Sequence, residues 1–236
     1  LVVGGGYIGL EAAAVAAKLG LEVVLVEMAE RILGRVAACE TADVIRAAHQ
    51  EHGVDIREGV GLERLIGEEG VVTGARLTDG SELAVDFVIV GTGIRPDTRL
   101  AEEAGISCEN GIAVDELGQT SAADVWAAGD CTSFPYKGGR LRLESVQNAI
   151  DQAQAVAANM LGAGTPYVPY PWFWSDQYDL KLQIAGLSEG YDDVVLRGDP
   201  SGGSFACFYL SDSILIAVDA INSPREVMHS KRLIAE

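Results

Sequence analysis

The sequence predicts an α/β protein that begins with a Rossmann-like domain and ends in an α+β domain. Three observations carry this prediction. A glycine-rich turn lies between an apolar strand and an alanine-rich helix within residues 1–19. A second turn, Gly129-Asp130, follows a short apolar run. From about residue 180, four short strands alternate with turns, which is typical of an antiparallel sheet.

The first block predicts strand, turn, helix and strand in order. The strand before the turn has only three residues, and the helix that follows ends at Gly20, a residue suited to a left-handed helix end. A β-branched strand over 21–26 ends in Glu27, and a second helix is expected over about 36–52. Because the sequence starts without Met inside or just before a strand, we expect it to be a fragment.

The remaining elements divide the chain into three predicted domains: 1–97, 98–168 and 169–236. Residues 62–85 predict an antiparallel meander, and 87–90 a buried strand that closes the first domain. The second domain holds a short helix, a strand near 112–114 and a long helix from Ser145 to about Leu161. The third follows a proline-containing linker, with strands at about 182–187, 193–197, 204–210 and 214–220 and a closing helix after Ser223.

The composition excludes several classes of partner. A net charge of −18 argues against nucleic acid or an anionic membrane, because both attract basic surfaces. No apolar run approaches the ~18 residues of a membrane-spanning helix. The four cysteines lie far apart without a CxxC pair, so we expect free thiols in a reducing, cytoplasmic compartment. They form no ligand cluster with the three histidines, and no metal site is predicted.

The glycine-rich turn has the spacing of a dinucleotide fingerprint, Gly4-x-Gly6-x-x-Gly9. Gly4 permits the tight turn, Gly6 allows the backbone to approach a pyrophosphate, and Gly9 allows close packing of helix on strand. Glu27 lies 18 residues beyond Gly9, where a carboxylate accepts hydrogen bonds from a ribose. Since residues 28–30 supply no cation for a 2′-phosphate, the motif favours NADH over NADPH; the alternative is a glycine turn without a ligand.

A second motif runs from Thr120 to Asp130. A threonine, a polar turn, an expected apolar strand over 124–128 and Gly-Asp form the pattern of a ribityl-binding strand in flavoproteins. Asp130 would then lie at the carboxyl end of that strand, where open α/β sheets bind ligands. The alternative is an aspartate that caps a helix. The helix that begins near Ser145 directs its partial positive charge at whatever lies before it.

Together these segments resemble the FAD-dependent NADH:ferredoxin reductase family, of the putidaredoxin reductase and aromatic-ring dioxygenase type. The resemblance covers essentially the whole chain, and its most specific part is the tryptophan motif Pro-Trp-Phe-Trp-Ser-Asp-Gln-Tyr. The matching runs are 1–11, 128–131, 144–149, 171–178 and 186–191.

The resemblance implies a two-dinucleotide-binding flavoprotein reductase: a Rossmann-like NAD domain, a partial FAD domain and a truncated C-terminal interface domain. The family's N-terminal FAD-binding segment, with its own GxGxxG, is not in this sequence. The implied activity passes electrons from NADH via FAD to a [2Fe-2S] ferredoxin, a Rieske-type ferredoxin or a rubredoxin that feeds an oxygenase. The alternatives are an NADH oxidase, a nitrite-reductase-type or disulfide reductase, or a redox-signalling flavoprotein similar to apoptosis-inducing factor.

The resemblance also implies roles for individual residues. Tyr7 gates the nicotinamide site, Glu11 lies with Glu144 near the carboxamide, and Trp174 lies at the flavin edge toward the electron acceptor. Trp172 shares the face of Trp174 on one strand, with core packing as the alternative for both. The implied cofactor-binding set is Gly4, Gly5, Gly6, Ile8, Gly9, Glu27, Arg35, Gly93, Asp130, Glu144, Val146 and Trp172.

One basic cluster has two possible roles. Lys137, Arg140 and Arg142 form the tightest group of cations in the sequence. They predict either a docking patch for an acidic partner or a solvated loop, and exposed charge runs are more often the latter.

Overall fold

The computed structural model describes the backbone of residues 1–235 and the side chains of residues 1–234. It forms two compact units, one of Leu1–Gly93 with Trp174–Ile234 and one of Ile94–Phe173. The three-domain division of the sequence stays a prediction. None of the helices within residues 1–235 has both the length and the apolar character that a membrane crossing requires. Those residues also hold no group of three or more His, Cys, Asp or Glu side chains arranged to bind a metal ion.

The first unit begins with a parallel sheet in the order β3-β2-β1-β7, as the Rossmann pattern predicts. Its apolar strands β1 and β2 are buried, and α1 and α2 connect successive parallel strands. Helix α2 starts three residues later than expected, because Leu33 (φ 52°) turns the chain and donates its N–H to the Gly5 carbonyl at 3.0 Å. The bounds are β1 Val2–Val3, α1 Tyr7–Lys18, β2 Val24–Glu27, α2 Cys39–Glu51, β3 Asp55–Glu58 and β7 Ile89–Val90.

The predicted antiparallel meander is confirmed between β3 and β7. Its strands pair in the order β4-β5-β6. Glu69 and Gly70 both have positive φ, 51° and 83°, which is the backbone of a two-residue type I′ hairpin. Strand β7 is shorter than the apolar run 87–90 predicts, since only two residues pair with β1. The bounds are β4 Leu62–Glu68, β5 Val71–Leu77 and β6 Glu82–Ala84.

The C-terminal part of the first unit is a five-stranded sheet in the order β11-β12-β15-β14-β13. It contains the four predicted strands, each longer by one or two residues, with β11 at one edge. The bounds are β11 Trp172–Gln177, β12 Leu180–Gly186, β13 Asp193–Asp199, a 3-10 turn at Pro200–Gly202, β14 Ser204–Ser211, β15 Ile214–Ile221 and α5 Pro224–Ala235.

The second unit differs from the sequence prediction in its middle. The expected strand over 124–128 is wrong: within residues 1–235 this segment makes one isolated bridge, between Trp126 and Gln119. Positive φ at Asp124 (61°) and Gly129 (89°) breaks extended structure at both ends. A hairpin follows instead, and the long helix appears as predicted. The bounds are α3 Arg99–Glu103, β8 Ile112–Ala113, β9 Thr132–Tyr136, β10 Gly139–Leu141 and α4 Val146–Met160.

Candidate functional site

The turn between β1 and α1 is closed by direct backbone contacts at two glycines. Gly4 has φ +106°, and a Cβ there would lie 2.4 Å from the Gly91 carbonyl oxygen at the end of β7. A Cβ on Gly9 would lie 1.9 Å from the carbonyl oxygen of Gly4. No side chain fits at either position. These contacts match the roles that the sequence spacing predicts for Gly4 and Gly9.

Gly6 differs from its neighbours because it faces open space. No heavy atom outside its immediate chain neighbours lies within 4 Å of a Cβ built on it. Gly6 is also the N-cap of α1, and no side chain caps this helix end. The first N–H groups of α1 therefore point into an open site, which is how helix N-termini bind phosphate. The turn fits the pyrophosphate of a dinucleotide.

Glu27 is held in place at the carboxyl end of β2. Its Oε2 accepts a hydrogen bond from Gly5 N, and its Oε1 one from Ala29 N, both at 2.7 Å. Each oxygen keeps a second lone pair for a ribose hydroxyl. The nearest cation along the chain, Arg31, is engaged elsewhere, since its guanidinium donates to the Ala37 carbonyl at 2.8 Å. The carboxylate is thus oriented before any ligand arrives.

Tyr7 and Glu11 lie one turn apart on the same face of α1. Burial, with a smaller contribution from Asp219, raises the pKa of the Tyr7 phenol above its usual value of 10, so the O–H remains a donor. Glu11 Oε1 accepts a hydrogen bond of 2.6 Å from Ser175 Oγ on β11. Glu11 also lines, with the exposed Ile8, an open apolar groove of about 390 Å³ along α1.

A buried aspartate supports α2 from the C-terminal sheet. Helix α2 starts after Ala38 without a capping side chain of its own. Asp219 on β15, fully buried, accepts hydrogen bonds from Ala38 N at 3.1 Å and Thr41 Oγ1 at 2.7 Å, and another from the Tyr209 hydroxyl. Next to it, burial raises the pKa of the Cys207 thiol to about 12. A carboxylate at a helix N-terminus is stabilising in charge and in hydrogen bonding.

Sequence reasoning did not find Ser175 or Asp219 as parts of this region. The signal for Asp219 is an acidic residue within the apolar strand β15, Ile214–Ile221. The signal for Ser175 is a polar residue at a position of β11 that faces the interior. Their partners are 164 to 181 positions away in sequence, so neither signal names what the side chain binds.

The second unit gathers the residues predicted to hold a flavin near the start of α4. Asp130 is exposed and precedes β9, so the expectation that it ends a strand is wrong. One of its oxygens accepts a 3.3 Å hydrogen bond from Ser145 N. Ser145 is the N-cap of α4, and Val146 in its first turn is exposed. Glu144 forms an ion pair with Arg142. A carboxylate and a helix N-terminus thus lie side by side in solvent.

The remaining predicted residues lie on turns and on β11. Arg35 is exposed in the turn between β2 and α2. Gly93 has φ +102°, with open space around a Cβ. On β11, Trp174 is 44% exposed while the next residue, Ser175, is buried, as a strand of period two requires. Trp172 is partly buried, and its carbonyl accepts a 2.9 Å hydrogen bond from Ser145 Oγ.

The basic cluster is a solvated loop only in part: Lys137 is exposed in a turn, whereas the two arginines are engaged within the chain. Its residues belong to the hairpin of β9 and β10 and the segment after it. Arg140 donates to the Val114 carbonyl at 2.9 Å and to Ser133 Oγ at 3.1 Å. With Arg142 paired to Glu144, both guanidinium groups are engaged within the chain.

Comparisons with known proteins agree with this geometry. Residues 1–153 match the family described as pyridine nucleotide-disulphide oxidoreductase, and residues 172–236 match a reductase C-terminal family. The 5,5′-dehydrodivanillate O-demethylase ferredoxin reductase subunit of Sphingobium sp. (strain NBRC 103272 / SYK-6) is 45% identical over the whole chain and 58% of its own length. Putidaredoxin reductase of Pseudomonas putida is 42% identical, over 100% of this chain and 57% of its own.

Solved structures give the same result for the fold. A covalent complex of putidaredoxin reductase with putidaredoxin matches with TM-score 0.93 and 42% identity, over 99% of this chain and 57% of the other. The ferredoxin reductase for the CYP199A2 system of Rhodopseudomonas palustris also has TM-score 0.93 and 42% identity, over 96% of this chain and 57% of that one. The chain therefore spans somewhat more than half the length of these relatives.

Proposed function

Because this chain belongs to the pyridine nucleotide-disulphide oxidoreductase family, we propose that it forms the NADH-binding and C-terminal parts of a flavoprotein ferredoxin reductase. The proposed activity passes electrons from NADH via FAD to an iron–sulfur protein or rubredoxin of an oxygenase system. The single observation that carries the proposal is the preformed site of the Gly4–Gly9 turn with Glu27. The match of residues 172–236 favours this class over the other NADH-dependent flavin oxidoreductases.

The nucleotide is held by groups of the first unit. The open position at Gly6 and the free N–H groups of α1 bind the pyrophosphate, while Glu27 accepts hydrogen bonds from the adenosine ribose. Arg35, exposed after β2, contacts the adenosine end. A 2′-phosphate would meet the Glu27 carboxylate, so NADH is preferred to NADPH.

At the other end of the nucleotide, α1 orients the nicotinamide. Tyr7 covers the site as a protonated phenol, and Glu11 accepts from the carboxamide. Ile8 and Gly93 border the nucleotide, since both are exposed near the ends of α1 and β7. The cofactors supply the redox chemistry, hydride from NADH and single-electron steps from FAD, so no side-chain nucleophile or general base is needed.

The flavin half of the proposal concerns the residues gathered at α4. Asp130 accepts from ribityl hydroxyls, and the α4 N-terminus at Val146 faces the ring, where its partial positive charge favours an anionic reduced flavin by about 0.3–1 kcal/mol. Glu144, which is paired with Arg142, is proposed as an acceptor for the nicotinamide carboxamide. Trp172 and Trp174 border the flavin, with the more exposed Trp174 toward the electron acceptor.

The partner and the compartment follow from the relatives and from the thiols. The solved complex of a 42% identical reductase contains putidaredoxin, so a [2Fe-2S] ferredoxin is the first partner to test, before a Rieske-type ferredoxin or a rubredoxin. All four cysteines are free, which suits the reducing conditions of a cytoplasm.

The test is nucleotide selectivity of Glu27→Arg, measured as Kd for NADH and NADPH from nicotinamide fluorescence. The wild-type chain should prefer NADH, and the variant should lower this preference at least about tenfold, or 1.4 kcal/mol. Glu22→Arg, exposed just before the opposite end of β2, makes the same charge change and should leave the ratio unaltered. Glu27→Gln keeps an acceptor for Gly5 N and covers the case that arginine disturbs the turn. If the preference survives both Glu27 changes, the ribose assignment is wrong.

A further inference from the structure

A buried chain of hydrogen bonds leads from Glu11 through the C-terminal sheet to α2. Ser175 Oγ donates to Glu11 Oε1 at 2.6 Å and accepts from Gln177 Nε2 at 3.0 Å. Gln177 Oε1 lies 2.9 Å from His49 Nε2, and His49 Nδ1 lies 3.2 Å from the Tyr178 hydroxyl. Ser175, Gln177 and His49 are each at most 1% exposed. All five residues belong to the first compact unit.

Every bond in this chain has a direction. Because the Gln177 amide nitrogen donates to Ser175, its oxygen must accept, so His49 carries its proton on Nε2. His49 Nδ1 is then the acceptor for the Tyr178 hydroxyl. Every donor therefore points toward Glu11, and the last donor, the Ser175 hydroxyl, binds Glu11 Oε1. The amide of Gln177 is not an acid, so the chain orients groups and does not conduct protons.

The outer end of the chain is fixed by the ring of Tyr178. Its φ of 56° is in the left-handed region, which costs an ordinary L residue about 1–2 kcal/mol. The ring stacks on His52 at 3.7 Å between centroids, and Lys18 Nζ lies 5.6 Å from its centre. Because Tyr178 occupies the two-residue turn between β11 and β12, this φ belongs to the hairpin, and the ring contacts are what fix the outer end of the chain.

At the inner end, the chain of donors leaves Glu11 with one oxygen to use. Oε2 receives no hydrogen bond from any group in residues 1–235, and Glu11 is only partly buried. A carboxylate with one oxygen pinned presents the other in a fixed direction, which lowers the entropy that binding would otherwise cost.

We propose that Ser175, Gln177 and His49 are positioning residues that hold Glu11 Oε2 toward the nicotinamide carboxamide. This inference rests on the proposed function, which places the nicotinamide beside Glu11. It adds a specific prediction: the chain of donors acts on the nicotinamide end of the nucleotide and not on its adenosine end. It also assigns a role to the polar residues of the tryptophan motif, which the sequence comparison left without one.

The test compares NADH with ADP-ribose, which lacks the nicotinamide, as ligands of the same chain by calorimetry. Ser175→Ala should weaken NADH binding about tenfold, the loss expected for one oriented hydrogen bond to a charged group. ADP-ribose binding should stay within about twofold. Gln177→Leu should also weaken NADH binding. Ser175→Thr, which keeps the hydroxyl, should retain part of the NADH affinity that Ser175→Ala loses. Asp176→Ala, exposed on the other face of β11, is the matched control.

Two further measurements separate the possible failures. Glu11→Gln must itself change the ratio of NADH to ADP-ribose affinity; if it does not, the nicotinamide is not beside Glu11 and the proposed function is wrong at this point. Suppose that Glu11→Gln changes the ratio of NADH to ADP-ribose affinity. If Ser175→Ala then leaves both affinities unchanged, or lowers both by the same factor, the positioning role alone is overturned. Nitrogen chemical shifts should show His49 as the neutral Nε2–H tautomer, and a proton on Nδ1 alone would contradict the chain.

Discussion

The glycine turn of the first unit and the segment 124–130 of the second unit carry similar sequence signals and adopt different degrees of order. The turn is held by close contacts around its open position at Gly6: a Cβ on Gly9 would meet Gly4, a Cβ on Gly4 would meet Gly91, and Glu27 accepts two backbone N–H groups. The segment 124–130 makes a single bridge, and Asp130 stays exposed.

The difference shows what each motif needs from its neighbours. The glycine turn is defined by φ angles and by close approach of backbone atoms, and every atom it contacts lies within residues 1–93. A strand needs a ladder partner along its length, whereas 124–130 forms one bridge, to Gln119, and its other backbone hydrogen bonds are contacts of turns, such as Ala127 N to the Gly118 carbonyl. A turn that is set by backbone angles and close backbone contacts forms from local residues, whereas an extended segment becomes a strand only along a ladder partner.

The largest expected effect is at Gly9. Gly9→Ala places a Cβ 1.9 Å from the Gly4 oxygen, so the turn must open, and we expect a loss of about 3 kcal/mol or more in unfolding free energy. Gly6→Ala is the matched control, because its φ of −82° suits alanine and its Cβ meets no atom. It should unfold as the wild type does but bind NADH more weakly. If Gly9→Ala and Gly6→Ala unfolded at the same urea concentration, the close contact between Gly9 and Gly4 would not stabilise the turn.

A smaller effect is expected at Gly129 in the open segment. Gly129→Ala brings a Cβ no closer than 3.8 Å to Ala149, so only the backbone conformation at φ +89° opposes it. The expected loss is about 1–2 kcal/mol. Urea unfolding of Gly9→Ala and Gly129→Ala under the same conditions measures the difference between their losses in unfolding free energy. Should Gly129→Ala cost as much as Gly9→Ala, the segment 124–130 is packed more tightly than its single bridge indicates.

The smallest effect concerns pH and the buried His49, which ties α2 of the closed region to β11. Burial lowers the pKa of His49 below 6.5, because the charged imidazolium is poorly solvated there. A depressed pKa in the folded state gives stability that is present above pH 6.5 and lost as the pH falls through the folded value. Relative to His49→Gln, the free energy of unfolding of the wild type should fall by at most about 1.4 kcal/mol for each pH unit below 6.5.

Urea unfolding at pH 7, 6 and 5 measures this loss. The exposed His229→Gln is the control, and it should follow the wild type at every pH. A constant difference between wild type and His49→Gln would show that His49 titrates alike in the folded and unfolded chain.

Much of the candidate site was open to prediction from sequence because its determinants are local. Gly4, Gly6, Gly9 and Glu27 follow from spacing, and the structure gives each glycine the environment its position requires. The start of the long helix near Ser145 was likewise predicted, and the Ser145 side chain accepts from Asn148 N as an N-cap should. The hydrogen bonding of the basic cluster was not predicted. Arg140 donates to the Val114 carbonyl, which lies 26 positions away in sequence.

The sequence by itself determined the glycine turn, the carboxylate at the end of β2, the meander and the alternation of β11. These depend on backbone angles and side-chain periods that neighbouring residues set. Only the tertiary structure decided that Asp219 caps α2, that Ser175 holds Glu11, and that 124–128 is not a strand. The first two depend on a partner far along the chain, 181 positions away for Ala38 and Asp219, and the third follows from positive φ at Asp124 and Gly129. A hydrogen bond constrains such a pair only after the elements have packed, so no local pattern records it.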